Sequence, residues 1–302
     1  MNHAPIVLFV YNRIWHTQQT VEALKQNLLA QESDLFIFSD GFKDESDKIK
    51  VEEVRNYIKT VTGFKSINII EREKNLGLAD SIISGVTELV NKYGKVIVLE
   101  DDIVTSPYFL KYMNETLSLY EDSEEVISIH GYVYPIKNNL PETFFIKGAD
   151  CWGWATWKRG WDLFEQNGLK LLNQIRATGL EKSFNFDNSY DYAGMLDGQT
   201  KGKNNSWAVR WYASAFLKKK LTLYPGRSLV KNIGMDNSGR HSGKTHVFDQ
   251  ELTKTPISIE KIVAIENKSA RKEFVKFFKS TKPRIARRVL NKFNKILCSL
   301  KK

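Results

Sequence analysis

One stretch constrains this chain more than any other. Val96-Ile97-Val98-Leu99-Glu100-Asp101-Asp102 sets four apolar residues directly before three consecutive carboxylates. An apolar run without polar alternation reads as a strand buried on both faces, as in a parallel sheet. Unpaired buried charge is very costly, so the acids must leave the interior at the strand's carboxyl end. Open α/β sheets hold their ligands at that end. Three adjacent like charges repel, and a divalent cation shared with a phosphate would relieve the repulsion. The plain alternative is a solvated acidic turn before the next helix.

The strand has neighbours of the same kind. Residues 5–11 read as a first strand ended by Asn12-Arg13, and 35–38 as a second ended by Ser39-Asp40-Gly41. A third covers 67–70 and ends near Arg72. Helical spacing of apolar residues fills the intervals at 16–30, 44–61 and from Asn75-Leu76-Gly77 to Tyr93, where Gly94 is a stop signal. Regular β-α alternation predicts a parallel sheet flanked by helices, with Asn12-Arg13, Asp40, Arg72 and the acids on one sheet edge. Neither a Gly-x-Gly-x-x-Gly after the first strand nor a P-loop is present.

Beyond the acids, Ser106-Pro107 opens a helix and 126–129 reads as a fifth strand. Residues 131–143 read as a loop and 143–146 as a short strand. Four Trp fall within 152–161, directly after Asp150-Cys151. Residues 184–206 are polar and rich in Gly and Asn, which predicts a flexible loop. A helix at 207–219, a strand at 221–224 and a glycine-rich loop at 232–241 follow.

The net charge of +10 is not spread evenly. Residues 268–302 hold thirteen Lys or Arg against one acid, Glu273, leaving 32 basic and 34 acidic side chains in the rest. A nucleic-acid enzyme more often carries basic residues over its body, so no nucleic-acid partner is expected. The tail's apolar positions Ile285, Val289, Phe293, Ile296 and Leu300 recur at three- and four-residue steps among Lys and Arg. That pattern predicts an in-plane helix on an anionic membrane, with a solvated helix or an extension packed on the body as alternatives. The two cysteines, Cys151 and Cys298, do not suggest a disulfide framework. The N-terminus lacks the pattern of a signal peptide, and no apolar run approaches membrane-spanning length. These features predict a cytoplasmic protein, peripheral on the inner face of the cell membrane.

Leu99-Glu100-Asp101-Asp102-Ile103, preceded by Arg72…Asn75-Leu76-Gly77 and followed by Trp152-Gly153-Trp154, resembles the nucleotide-sugar glycosyltransferases of the GT-A fold. The nearest versions are the N-acetylglucosaminyltransferase I-like and bacterial family 2-like branches. The resemblance covers roughly residues 4–250 and implies a Rossmann-like, mostly parallel sheet flanked by helices. It divides the chain into a nucleotide-sugar half (1–130), an acceptor and catalytic half of the same domain (131–265), and the basic tail (266–302). It implies Mn²⁺ or Mg²⁺, a UDP-sugar donor, and inverting transfer of a hexosyl or N-acetylhexosaminyl group. The acceptor would be a glycan or lipid-linked molecule in lipopolysaccharide or capsule synthesis.

The residues carried over are these. Asp102 would bind metal, with His241 as a second ligand; Arg240 or Lys231 could serve the diphosphate instead. Glu100 and Asp101 would contact the donor, with Tyr11, Asn12, Arg13 and Asp40 toward the nucleoside. Arg72, Asn75 and Gly77 would lie by the ribose or diphosphate, although Asn75 and Gly77 also suit a helix cap and Asp40 a plain turn. Trp152 and Trp154 would stack on acceptor sugar. The base is less defined: the position after Trp207 holds Ala208 rather than an acid. Asp150 and Asp197 are the candidates. Two rival functions remain, a sugar-nucleotide nucleotidyltransferase and a non-catalytic binding module of the same fold.

Overall fold

The computed structural model describes residues 3–239 and 244–282. In the first half, strands and helices alternate: β1 (Ile6–Val10), α1 (Ile14–Lys25), β2 (Asp34–Ser39), α2 (Glu45–Ile58), β3 (Ser66–Glu71), α3 (Leu78–Tyr93) and β4 (Lys95–Glu100). Then come β5 (Ile103–Thr105), α4 (Phe109–Leu119), β6 (Val126–His130), β7 (Thr143–Lys147) and β8 (Trp154–Trp157). The remainder is α5 (Lys158–Trp161), α6 (Gly168–Ala177), α7 (Glu181–Phe184), α8 (Tyr192–Thr200), α9 (Trp207–Leu217), β9 (Leu221–Pro225), β10 (Val230–Asn232) and α10 (Lys268–Thr281).

One eight-stranded sheet runs β3-β2-β1-β4-β8-β6-β9-β7, and β5 and β10 form a separate two-stranded sheet. The first four strands are parallel throughout. Beyond them β8 runs antiparallel to both β4 and β6, and β7 antiparallel to β9. The fold is therefore a mixed α/β sheet flanked by helices, parallel in its first half. Alternation along β1 and β4 separates the two faces. Ile6, Leu8, Val10, Ile97 and Leu99 join the core under α1, α2 and α4, whereas Val7, Phe9, Val96 and Val98 join the core under α3 and α9. Burying each such side chain stabilises by about 1.5–3 kcal/mol. Helix α3 lies so close to β1 that a Cβ at Gly85 would sit 2.8 Å from the Phe9 ring.

Two expectations change. Residues 184–206 are not a loop: they contain the end of α7 and all of α8. Asp191 caps α8, its carboxylate accepting from Gly194 N at 3.0 Å, and Phe184, Phe186, Ala193 and Leu196 are buried. A few apolar anchors suffice here because the buried polar residues between them are paired: Asn185 Oδ1 accepts from Ala193 N at 2.8 Å and Ser189 Oγ donates to the Phe186 carbonyl at 2.5 Å. The basic tail begins as a helix packed on the body. Asn267 caps α10 and its Ala270, Phe274, Val275 and Phe278 are buried. Phe274 and Phe278 each lie 4.9 Å from the Tyr134 ring. The apolar face of 268–281 is thus already covered. The apolar positions from Ile285 to Leu300 lie outside the described residues. Among the described residues no helix is long and apolar enough to cross a membrane.

Candidate active site

The acids leave β4 between α1 and the loop after β10. Arg13, immediately before α1, donates from Nη2 to Asp101 Oδ1 and, at 2.9 Å, to Asp102 Oδ2; its Nε reaches Asp101 Oδ2 at 3.3 Å. Thr20 of α1 donates to the Asp101 carbonyl at 2.8 Å. Both side-chain contacts follow from parallel strands, which put the end of β1 beside the end of β4. Asp101 is buried and Asp102 nearly so. Burial works against charge on Arg13, but the two carboxylates outweigh it and hold the guanidinium ionised. Burial raises Glu100 and Asp101 above the ordinary carboxylate range; Asp102 adds to both, and Arg13 opposes it. From the other side, Asn232 pairs with Ile103 and Ile233 N donates to the Asp102 carbonyl at 2.9 Å. This brings Gly234 onto the acid: a Cβ there would lie 2.0 Å from Asp102 Oδ2 and 3.0 Å from Arg13 Nη1.

The ends of β2 and β3 form a second polar cluster. Asp40 accepts Gly41 N, Leu76 N and Gly77 N at 2.9–3.0 Å, and Asn75 Nδ2 donates to the Gly41 carbonyl at 2.7 Å. Asp40 and Asn75 therefore shape the segment that leads into α3, and Gly77 caps that helix at φ 77°. Tyr11 and Asn12 each donate to Asp47, in the first turn of α2, at 2.8 Å. Burial first, then Asp47, pushes the Tyr11 hydroxyl up to about 12. Arg72 lies over the Phe38 ring at 5.3 Å and reaches Ser84 Oγ at 3.2 Å. Its Nε is buried without a hydrogen-bond partner.

The third cluster surrounds Asp150. The antiparallel ladder of β4 and β8 ends at Val98↔Trp154, so the chain before Trp154 leaves the sheet where the acids leave it. Asp150 Oδ2 accepts from Tyr134 at 2.9 Å and Tyr224 at 3.3 Å, and Oδ1 accepts from Cys151 N at 3.0 Å. Burial, then Asp150, holds both tyrosines firmly protonated. The Cys151 thiol is pushed up by burial and then by Asp150, Glu100 and Asp102 together. The Cys151 thiol is thus within electrostatic reach of both Asp150 and the acids after β4. Trp152 donates its N–H to His130 Nε2 at 3.1 Å, and burial keeps that imidazole neutral.

The structure gathers Arg13, Glu100, Asp101, Asp102 and Asp150 at one end of the sheet. Trp154 is a correction. It is 1% exposed and packs between Trp207, Trp161 and Trp211 at 5.4–5.8 Å, so its ring presents no face to an acceptor. Trp152 is half-buried, edge-on to Tyr132 and Phe248. Asp197 lies on α8, paired with Lys201 and, at 3.7 Å, Arg176; none of its contacts reaches the acids. His241 and Arg240 lie outside the described residues. Sequence reading passed over His16, whose Nε2 lies 3.1 Å from Asp236 Oδ2 and ties the loop after β10 to α1. The Ser238 hydrogen bond, above all, brings Asp236 down to about 2. His16 follows Arg13 by three residues, one helical turn, and that spacing was the available signal.

Do these residues suit a divalent cation? Hard carboxylate oxygens are the right chemistry, and a cationic group already sits between Asp101 and Asp102 in the form of Arg13. Among the described residues, however, no three His, Cys, Asp or Glu side chains converge as a cage. The set fits a cation held by one or two carboxylates and completed by a ligand's phosphates, a mode typical of Mg²⁺.

No family model and no curated protein matches this sequence. Among solved structures, the 1–349 piece of S. aureus TarS matches 76% of this chain and 59% of its own, at 9% identity and TM-score 0.40. GalNAc-T7 with UDP, GalNAc and Mn²⁺ matches 54% of this chain and 37% of its own, at 13% identity and TM-score 0.38. The mannosyltransferase PcManGT of Pyrobaculum calidifontis, with GDP-Man and Mn²⁺, matches 44% and 35%, at 11% identity and TM-score 0.34. The chain spans less than two thirds of each of these proteins. Likenesses of this size carry no argument, and the functional reading rests on the site.

Proposed function

We propose that this chain is a glycosyltransferase of the GT-A type that takes a nucleoside-diphosphate sugar, with UDP as the first nucleotide to test and Mn²⁺ or Mg²⁺ as cation. The carrying observation is the pairing of two carboxylate groups at one sheet end. Asp101 and Asp102 hold a cationic group, and Asp150 lies on the stretch that leaves the sheet at the end where the acids leave it. Transfer from a diphosphate needs both: neutralisation of the leaving phosphates and removal of a proton from the acceptor hydroxyl.

The cation, when bound, offsets the charge that develops on the leaving diphosphate. The chain's own residues do the rest. Asp102, with Asp101 behind it, holds the charge centre at the end of β4, and Glu100 lies on the donor side. Arg13 and Arg72 supply guanidinium groups for the phosphates. Asp40, Asn75 and Gly77 hold the segment before α3 in shape, and Tyr11 and Asn12, fixed by Asp47, border the nucleoside position. Asp150 takes the acceptor proton. Its three donors fix the carboxylate's orientation, and Oδ1, which accepts only the Cys151 amide among the hydrogen bonds described, faces the proton to be moved. Attack by an acceptor activated in this way on the face opposite the leaving group inverts the anomeric centre. Trp152 borders the acceptor. The product we propose is a surface glycan built on a membrane-bound acceptor, with residues beyond 283 at the membrane.

The test is a panel of UDP- and GDP-sugars, measured for hydrolysis and for binding with and without Mn²⁺. Metal-dependent turnover of one of them is the expected result. No turnover and no nucleotide binding under any condition would refute the reading.

A further inference from the structure

The Arg13 guanidinium stands where the proposed cation belongs. We infer that Arg13 is the resident counter-ion of the acid pair: it yields Asp102 to the divalent cation and turns toward the phosphates of the incoming nucleotide. This rests on the proposed function for the identity of the nucleotide.

Three observations carry it. First, the contacts are unequal. Asp101 receives both Nη2 and Nε, whereas Asp102 receives Nη2 alone. The link to Asp102 can break while the other holds. Second, the surroundings of Asp102 Oδ2 are crowded. Gly234 lies against that oxygen and near Arg13 Nη1, so that a methyl added at Gly234 would overlap the carboxylate. A cation that binds through this oxygen competes with Arg13 Nη2 for it. Third, one guanidinium faces two carboxylates, Asp101 and Asp102, and does not balance both when they are ionised. A diphosphate approaching that surface is repelled until positive charge is added. A cation at Asp102 adds it, and releases the Nη2 N–H that had gone to Asp102, which with Nη1 can face phosphate oxygens while Asp101 keeps its hold on the guanidinium.

The inference predicts opposite effects of one substitution. Wild-type protein, titrated with Mn²⁺ alone and followed by the electron paramagnetic resonance of free Mn²⁺, should bind the ion weakly. Arg13→Gln, lacking the competitor, should bind Mn²⁺ about tenfold more tightly, the size of one charged hydrogen bond. The same variant should bind UDP, at saturating Mn²⁺ in a calorimeter, about tenfold more weakly, by the same measure. A residue that merely braces the acids would weaken both. Arg13→Lys, which keeps the charge but cannot bridge two carboxylates through one planar group, should fall between and serves if Arg13→Gln does not fold. Unchanged or weaker Mn²⁺ binding in both variants overturns the inference and leaves the transferase reading standing. Failure of wild-type protein to bind UDP or GDP with Mn²⁺ sinks the transferase reading instead.

Discussion

The two halves of the sheet solve different problems. From β3 to β4, strands are parallel, their buried residues mostly aliphatic with Phe9, Phe36 and Phe38 among them, and Arg13, Asp40, Arg72 and the acids follow their carboxyl ends. From β8 to β7, strand directions mix and the packing is aromatic. Trp154, Trp161, Trp207 and Trp211 fill one side, and Tyr134, Phe186, Phe274 and Phe278 the other. The first half handles charge, because parallel strands deliver four loop ends to one place. The second half surrounds a single carboxylate, Asp150, with hydroxyls from rigid rings. Ionic groups need neighbours of opposite sign, whereas a proton acceptor needs fixed direction. On the proposed reading, with Asp150 as the base, the molecule divides these needs along the β4–β8 boundary.

That division can be broken at chosen points. Asp150→Asn should have the largest effect, lowering kcat about a thousandfold while leaving the donor Kd unchanged. The amide keeps the shape, since tyrosine hydroxyls can accept from it as well as donate. Full activity would move the base out of the second half. Trp154→Ala should cost about 3–5 kcal/mol in denaturant unfolding, because it empties the centre of the indole cluster. A loss below 1 kcal/mol, by the same scale, would mean that the cluster does not hold the second half together. Asp102→Asn should cut turnover about a hundredfold, mainly through lost metal-dependent nucleotide binding. Unchanged UDP affinity in Mn²⁺ would remove Asp102 from the charge-handling half.

The smallest effect concerns pH. Glu100 and Asp101 are raised in the folded state by burial and by their neighbours, so the folded protein holds protons that the unfolded chain releases. Their protonated forms favour folding. Stability from this source is complete below the ordinary carboxylate range and is lost as pH rises from there into the neutral range. Melting temperature without metal should therefore fall over that interval, and Glu100→Gln should flatten the slope. A slope unaltered by the substitution would place the strain elsewhere.

Sequence alone made the first half readable for a physical reason. Aliphatic strands, helical spacing and polar strand ends are local signals, and parallel topology then fixes where the ends meet. The acids, Arg13, Asp40 and Arg72 were found this way. The second half resisted because its signals are not local. Nothing in the spacing of Trp154 distinguishes a ring on a sugar from a ring among three other indoles. The helix at Tyr192–Thr200 was hidden because four buried anchors are scattered through a polar stretch. His16 was passed over because its partner, Asp236, lies 220 residues away.

The tryptophans have one more consequence. Trp154, Trp161, Trp207 and Trp211 lie 5.2–5.8 Å apart in a dry interior. Trp15 is 54% exposed, edge-on to His16, at the loop that covers Asp102. Five of the seven tryptophans therefore form two optical reporters of opposite character, beside half-buried Trp152 and buried Trp157. Light absorbed in the cluster is shared among coupled rings and emitted from an apolar surrounding, so its colour follows the integrity of the second half. Trp15 emits into water beside the charged edge, where a soluble quencher can reach it and an arriving ligand can shield it. A single emission spectrum, resolved into blue and red components, watches both halves at once.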